Sequence, residues 1–442
     1  MRSQGAGRLG HSLKGPEMHV NSLWAATAEA EPVFPCLKGH AQADVVIIGG
    51  GYTGLSTAYH IAESGRAPIL LEANRIGWGA SGRNGGVVSP KFRISFPSIA
   101  ASHGREIARR MYDLAYESVD CVEELVEALS IESAGFGRYG HIAAAHTPHA
   151  LANLSVTGDW IKAEYGKSVM LGPEEVSEEI GTKVFFGGLL TADAGGIHPL
   201  NYARGLARGL QAKGVPVYIE TPAIKIRSGG AGVIVDTPEG QVTARQVILA
   251  TNGYSGLTGA TKPIYRRLVP FRSAIIATAP LSANVRAQIL PGGRLCGDTK
   301  RMLRWFRMVD NQLIFGGRGA FGQNDSPSSF KALRKNMTDL FPILEDTPIV
   351  HEWSGLVAMT LDALPHVGML DERTYFAAGY NGTGIAMASL MGRYLARKTA
   401  GEATSAALLE TLPLHAIPFH ALRSPGVRLA AGWQQFLDIL GR

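Results

Sequence analysis

Residues 44–54 read Asp44-Val45-Val46-Ile47-Ile48-Gly49-Gly50-Gly51-Tyr52-Thr53-Gly54, and Glu72 follows Gly54 by 18 positions (72 − 54). Val45 to Ile48 form a short, wholly apolar run, as expected of a strand buried on both faces. Gly49 permits a tight turn, Gly51 lets backbone approach a pyrophosphate, and Gly54 lets the next helix pack close to the strand. That helix is predicted from Thr53 to Ser64, with Leu55, Ala58, Ile61 and Ala62 inward and Gly65 as its stop. Ile69 to Leu71 supply the second strand. Glu72 at its tip is placed to accept from both ribose hydroxyls and would repel a 2′-phosphate, which disfavours NADP. A lone G-x-G-x-x-G is a weak signal; strand, helix, second strand and acid in register make a specific one.

The bulk composition sets bounds on the rest. A chain of 442 residues is too long for one simple core and predicts two domains. Its 54 glycines exceed the usual frequency of roughly 7% and cluster at turns rather than in repeats. The net charge of +6 comes without long basic runs, which argues against nucleic-acid binding and is compatible with an anionic cofactor or substrate. Cys36, Cys121 and Cys296 have neither metal spacing nor even pairing, so a reduced cytoplasmic setting and no metal are expected. No run of 18 apolar residues predicts a membrane span. Residues 1–17 lack an apolar signal-peptide core and read as part of a disordered extension over 1–20, with Met18 an alternative start. Residues 427–440 have helical spacing with few basic residues, which suggests packing onto the body rather than onto a membrane.

Along the chain, five glycines in the ten residues 77–86 exclude a helix or a plain strand. A helix is expected over 103–130, a strand from Gly140 to Ala145, a second helix over 149–166 and an acidic segment over 173–181. The helix from Leu200 to Lys213 is followed by a strand from Val215 to Ile219. Ala223–Arg227, Val233–Thr237 and Gln241–Ala250 read as a three-stranded meander. Leu268–Ala279, Arg301–Val309 and Gln312–Gly317 are extended, with Asp310-Asn311 as a hairpin turn. Tyr375–Ala378 is a strand leading to Gly379-Tyr380-Asn381-Gly382-Thr383-Gly384 and a helix from Ile385 to Lys398. The expected architecture is a discontinuous α/β Rossmann-like domain carrying the meander (40–90, 195–262, 354–402). An α+β substrate domain with an antiparallel sheet (91–194, 263–353) is inserted in it, and a C-terminal tail and helix (403–442) follow.

Four glycine-rich turns thus fall in one domain: 49–54, 79–86, 250–253 and 379–384. One dinucleotide needs only the first. The others suit a longer ligand with a flat ring beyond the pyrophosphate, and FAD fits that better than NAD. The chain resembles the FAD-dependent amine and amino-acid oxidoreductases related to D-amino-acid oxidase and glycine/sarcosine oxidase, and within them the gamma-glutamylputrescine oxidoreductase branch. The carriers are Asn21-Ser22-Leu23-Trp24-Ala25-Ala26-Thr27-Ala28, Gly77-Trp78-Gly79-Ala80-Ser81-Gly82-Arg83-Asn84-Gly85-Gly86, Trp353-Ser354-Gly355-Leu356, Thr360 to Gly368, and Gly379-Tyr380-Asn381-Gly382. Ser81 to Gly86 is the most specific of these.

The resemblance implies roles. Gly49, Gly51, Tyr52, Thr53, Gly54, Glu72 and Ala73 would hold the ADP half, with Arg75 near the ribose. Gly79, Ala80, Ser81, Arg83, Asn84, Gly85 and Gly86 would run beside the pyrophosphate and isoalloxazine. Ala223 would meet the adenine, and Ala250 and Gly253 would back the site. Gly379, Asn381, Gly382, Thr383, Gly384 and Ile385 would bring a helix N-terminus to the flavin pyrimidine edge, where it stabilises the negative charge of the reduced ring.

Two departures from the pattern bear on chemistry. Thr383 stands where the family often has His, and Gly355 to Thr360 contain no Cys, so FAD is expected to be non-covalent. Ala386 stands where small-amino-acid oxidases tend to carry a base for the substrate carboxylate, which favours an amine whose acid group is distant.

On the 301–309 strand, Trp305 and Arg307 alternate with Arg304 and Phe306, and one of the two faces looks into the interdomain cleft. Trp305 and Arg307 are read as substrate lining, with Arg307 a bidentate carboxylate partner; an ordinary sheet face is the alternative. Tyr380 stacks on flavin or substrate or fills the core, and Trp353 walls the pocket. His198, His366 and Cys296 read as structural. The expected reaction is oxidative deamination of a gamma-glutamyl-amine-like substrate, with O2 or another acceptor reoxidising the flavin. The alternatives are a sarcosine or D-amino-acid type oxidase, a dehydrogenase passing electrons to a quinone or protein, and a non-catalytic binding protein of the same fold.

Overall fold

The computed structural model describes residues 19–230, 232–300, 303–318, 327–418 and 420. The expected helix over 427–440 and nearly all of the N-terminal extension lie outside them, as do residues 301–302 of the expected strand.

The first sheet forms around the apolar run of the fingerprint. Gly39–Ile48 pairs in parallel with Pro68–Leu71 on one side and Gly240–Leu249 on the other. Val45 to Ile48 and Pro68 to Leu71 are buried throughout, which explains their lack of polar alternation. Val217–Tyr218 extends one edge, and Thr374–Ala378 then His366–Asp371 extend the other. The meander is present as Lys225–Gly229, Gly232–Asp236 and Gly240–Leu249. Its last strand is shared: the first half pairs with Gly232–Asp236 and the second half with Thr374–Ala378.

The register of this sheet creates the site. Ile48 lies opposite both Leu71 and Leu249, and Leu249 lies opposite Phe376. Four parallel strands therefore end at one level, and Gly49, Glu72, Ala250 and the turn after Ala378 emerge along one edge. In open α/β sheets this carboxyl edge is where ligands bind.

The second sheet has the order Ile349–Met359, Val269–Thr278, Gln312–Arg318, Arg304–Val309, Leu295–Asp298, His141–Ala144, Gly188–Thr191, Val169–Leu171. It is antiparallel except where Leu295–Asp298 meets His141–Ala144. Asp310 at the hairpin turn has φ of 50°. The Ile349–Met359 strand runs through residue 354, so the first six residues assigned to the FAD-binding piece belong by hydrogen bonding to the antiparallel sheet.

The helix expected over 103–130 is Arg105–Ala128, and a short helix, Phe96–His103, that was not expected precedes it across Gly104 with φ of 92°. Of the apolar residues that predict this helix, Met111, Leu114, Val119, Val122 and Leu125 are buried, and Ile107 and Leu129 at its two ends are partly buried. The acidic 173–181 segment contains a helix, Pro173–Ile180, stopped by Gly181 in a left-handed conformation. The Val215–Ile219 strand shortens to Val217–Tyr218.

Candidate active site

A cavity of about 500 Å³ lies between the carboxyl edge of the parallel sheet and one face of the antiparallel sheet. Phe271, Ser273 and Ile275 line it from alternate positions of one strand, and Gly297, Trp305 and Gly317 from three others. The period-two alternation of strands makes this a continuous wall.

At the parallel-sheet end, the Tyr52–Glu63 helix starts at Gly51 with no side-chain cap. Gly54 is fixed by close approach: a β-carbon there would lie 1.9 Å from the Gly49 carbonyl oxygen. Glu72 accepts from the Gly50 N–H at 2.6 Å and from the Asn74 N–H at 2.8 Å. Burial raises its pKa, and those backbone donors oppose the rise. The Gly384–Thr399 helix also starts at the cavity without a side-chain cap. Two uncapped helix N-termini facing one cavity present N–H groups and positive dipole ends to an electron-rich ligand.

The 78–86 loop is held from outside the cavity. The Trp353 indole N–H donates to the Arg83 carbonyl at 2.9 Å, and the Trp24 indole N–H to the Asn84 carbonyl at 2.7 Å. Arg307 donates to the Gly86 carbonyl. The Asn84 side chain donates to the Ala80 and Ser81 carbonyls at 3.0 Å and to the Tyr52 hydroxyl at 3.1 Å. The Tyr52 hydroxyl is shared between the carbonyls of Ser81 at 2.5 Å and Pro199 at 3.0 Å. Arg83 donates to the Trp78 carbonyl at 2.7 Å and lies 4.5 Å over the Trp78 ring. Gly85 is required: a β-carbon there would come within 2.2 Å of the Trp305 ring.

The cavity brings together Gly49, Gly51, Tyr52, Thr53, Glu72, Ala73, Gly79, Ala80, Ser81, Arg83, Asn84 and Gly85 from the sequence-predicted set. Ala223, Ala250, Gly253, Trp305 and Tyr380 also line it, as does the run Asn381 to Ile385. The Tyr380 hydroxyl bonds Thr53 Oγ1 at 2.6 Å, and burial raises its pKa.

Six residues of that set do not reach the cavity. Gly54, in the first turn of the helix, faces the Gly49 carbonyl, Gly86 faces Ile197, and Gly379 packs on Thr360. Arg75 pairs with Glu220 at 3.0 Å and with Glu31 at 3.7 Å. Two corrections concern the substrate residues. Arg307 is buried under the loop with its guanidinium on Gly86 and 5.9 Å from the Trp24 ring. Burial lowers its pKa to about 10, so it stays charged at neutral pH. Trp353 is also buried, with its one donor spent on Arg83. Both support the loop and neither lines the pocket. Ala386 is buried in the helix packing, so its lack of charge says nothing about the substrate.

His198 caps the Pro199–Ala212 helix through Nδ1 at 3.1 Å and meets Thr27 through Nε2 at 3.0 Å. His366 lies 2.9 Å from Asp362 Oδ2 and 3.1 Å from the Leu412 carbonyl. Cys296 is buried, and burial pushes its thiol pKa far up. No His, Cys, Asp and Glu cluster among the described residues could hold a metal.

Sequence reading missed Lys91, Phe92, Arg93, His141 and Lys300, all of which line the cavity. Lys91 to Arg93 lie five to seven residues past Gly86, and that proximity is the one signal that could have found them.

Comparison with known proteins settles the family. Residues 44–398 match the family described as FAD dependent oxidoreductase, DAO. The chain belongs to this family. Its cofactor is FAD, and it is an oxidoreductase of the class acting on amine or amino groups. It is 31% identical over 426 residues to the gamma-glutamylputrescine oxidoreductase of Escherichia coli K12, covering 96% of this chain and 99% of that protein. It is 34% identical over 424 residues to a probable oxidoreductase, OrdL, of Rhizobium meliloti, covering 94% and 97%. The glycine oxidase structure from Geobacillus kaustophilus shares the fold with a TM-score of 0.73 at 21% identity, over 86% of this chain and 99% of that one. The two uncapped helix starts and the glycine turns on one continuous cavity fit an extended flavin dinucleotide. No helix among the described residues is long and apolar enough to cross a membrane.

Proposed function

We propose that the protein oxidatively deaminates an amine of the gamma-glutamyl-amine type, using O2 as electron acceptor. FAD held by the glycine turns and the two helix N-termini would supply the two-electron oxidant for the amine's α-carbon–hydrogen bond, with O2 as the terminal acceptor and hydrogen peroxide as its product. The resulting imine hydrolyses to aldehyde and ammonia.

The observation that carries this reading is the character of the wall facing the flavin-holding loop. Phe271, Ile275 and Trp305, from two strands of the antiparallel sheet, make it aromatic and apolar. Only a neutral amine donates hydride, and an alkylammonium ordinarily has a pKa of about 10.4. An apolar wall favours the neutral form by desolvation. Glu72, the one carboxylate among the described lining residues, is held by Gly50 and Asn74 at the parallel-sheet edge, away from that wall. No carboxylate at the wall therefore stabilises the ammonium form. Full-length similarity to a gamma-glutamylputrescine oxidoreductase supports the substrate class. Three free cysteines suit a reducing compartment, and we place the enzyme in the cytoplasm.

Anaerobic mixing with gamma-glutamylputrescine tests the reading without regard to the acceptor. Bleaching of the flavin absorbance within seconds is expected. A flavin that stays oxidised with every gamma-glutamyl amine would refute it.

A further inference from the structure

Among the described lining residues four side chains are cationic, Arg83, Lys91, Arg93 and Lys300, and one, Glu72, is a carboxylate. Arg83 is engaged by the Trp78 carbonyl and the Trp78 ring. Lys91 differs. Its ammonium has no hydrogen bond or ion pair among the described residues, and it stands against the antiparallel sheet, where Cys296 and His141 are the groups that feel its charge. The strands bearing those two residues pair directly, Cys296 opposite Ile142. His141 is buried and is held neutral, first by burial and then by the Lys91 charge. Lys91 lines the cavity and is partly accessible, and burial lowers its pKa to about 8.

A cavity-facing ammonium without an anion is costly, because desolvation is not repaid by a partner. The parallel-sheet end cannot supply that partner: Glu72 lies there, bound by Gly50 and Asn74. An anion on the ligand can. We infer that Lys91 is the anchor for a carboxylate on the substrate, remote from the reacting nitrogen, with Arg93 and Lys300 adding to the positive field. This rests on the amine-oxidation reading above and assigns its specificity to one residue. The same field disfavours a diamine, whose second ammonium would have to sit beside Lys91 with no counter-charge. The expected substrate is therefore an amine at one end with a carboxylate at the other, which in a gamma-glutamyl amine belongs to a zwitterionic head whose own ammonium is balanced by it.

The test compares gamma-glutamylputrescine, N-acetylputrescine and putrescine on the FAD-loaded enzyme and its Lys91→Met, Lys91→Arg and Lys91→Glu variants. Loss of a buried charge-assisted contact should raise KM for gamma-glutamylputrescine by roughly 10- to 100-fold in Lys91→Met. N-acetylputrescine, which lacks the carboxylate, should change by less than about threefold, and Lys91→Arg should recover most of the loss. Lys91→Glu should gain activity toward putrescine, a gain that misfolding cannot produce.

A second readout needs no turnover. Glutarate, a carboxylate that cannot be oxidised, should perturb the flavin spectrum on binding the wild type and bind Lys91→Met at least about tenfold more weakly. If the wild type oxidises no amine, the amine-oxidation reading fails, while glutarate binding still decides the role of Lys91. Equal glutarate affinity in wild type and Lys91→Met would overturn the inference, as would an equal rise in KM for N-acetylputrescine. Loss of flavin from Lys91→Met with unchanged relative KM values would also overturn it, by placing the side chain on the cofactor.

Discussion

Arg307 donates to the carbonyl oxygen of Gly86, a residue 221 positions earlier in the chain. That contact ties the antiparallel sheet to the loop beside the flavin site. With Trp353 on the Arg83 carbonyl and Trp24 on the Asn84 carbonyl, it turns three loop carbonyls away from the cavity, each held by a buried side chain from a different element. The loop is a rigid wall because its acceptors are satisfied from behind.

Arg307→Met should therefore act on the cofactor and not on substrate choice. Removing a charged donor from a buried carbonyl costs about 1.5–3 kcal/mol. FAD titration of the apoenzyme, followed by flavin fluorescence, should show a dissociation constant raised by roughly 10- to 150-fold. The KM ratio between carboxylate-bearing and neutral amines should stay unchanged. A selective rise in KM for the carboxylate-bearing amine would restore Arg307 as a substrate clamp.

Glu72→Ala should weaken FAD binding by about 1.5–3 kcal/mol, through loss of a charge-assisted acceptor for the ribose. The variant should also melt at a lower temperature, because the Gly50 and Asn74 N–H groups lose their acceptor. An unchanged flavin affinity would remove Glu72 from the site.

Acid should destabilise the fold through buried histidines. Burial lowers the His198 pKa to about 4. The unfolded chain therefore binds more protons than the native one between about pH 6.5 and 4, and stability rises with pH across that window. Lowering the pH from 6.5 to 4 should lose it progressively, up to roughly 3 kcal/mol for this residue before solvent screening. His198→Asn keeps a good cap for the helix and removes the titration. Thermal melts at pH 7 and pH 5 should differ less in the variant than in the wild type, and an equal difference would exclude His198.

The flavin should be released by acid precipitation. The three cysteines are absent from the described lining residues, and His141, the one histidine there, is buried and neutral. Yellow colour should partition into the supernatant; colour retained in the pellet would show a covalent link.

The parallel sheet was legible because its signals are local. An apolar run, a glycine turn and an acid at fixed spacing follow from chain geometry alone, and Ile48, Leu71 and Leu249 fall in register as that reading requires. The face of the 304–309 strand was legible in part. Period two places Trp305 and Arg307 on one side, and they do share it, but alternation says nothing about depth along the strand. Trp305 meets Gly85 in the cavity, while Arg307, two residues on, passes beneath Gly86. Trp353 was misplaced for the same reason: its partner, the Arg83 carbonyl, lies 270 positions away. Lys91 carries no motif at all. Its meaning arises only when the loop after Gly86 meets the Leu295–Asp298 strand.

The central claim is best tested by the peroxide yield of the purified yellow protein in air. The panel is gamma-glutamylputrescine, putrescine, spermidine, sarcosine, glycine and D-alanine. The account predicts peroxide from gamma-glutamylputrescine at a kcat/KM well above that of every other compound. Faster turnover of sarcosine, glycine or D-alanine would contradict the substrate assignment, and flavin reduction by gamma-glutamylputrescine without peroxide would contradict O2 as the acceptor.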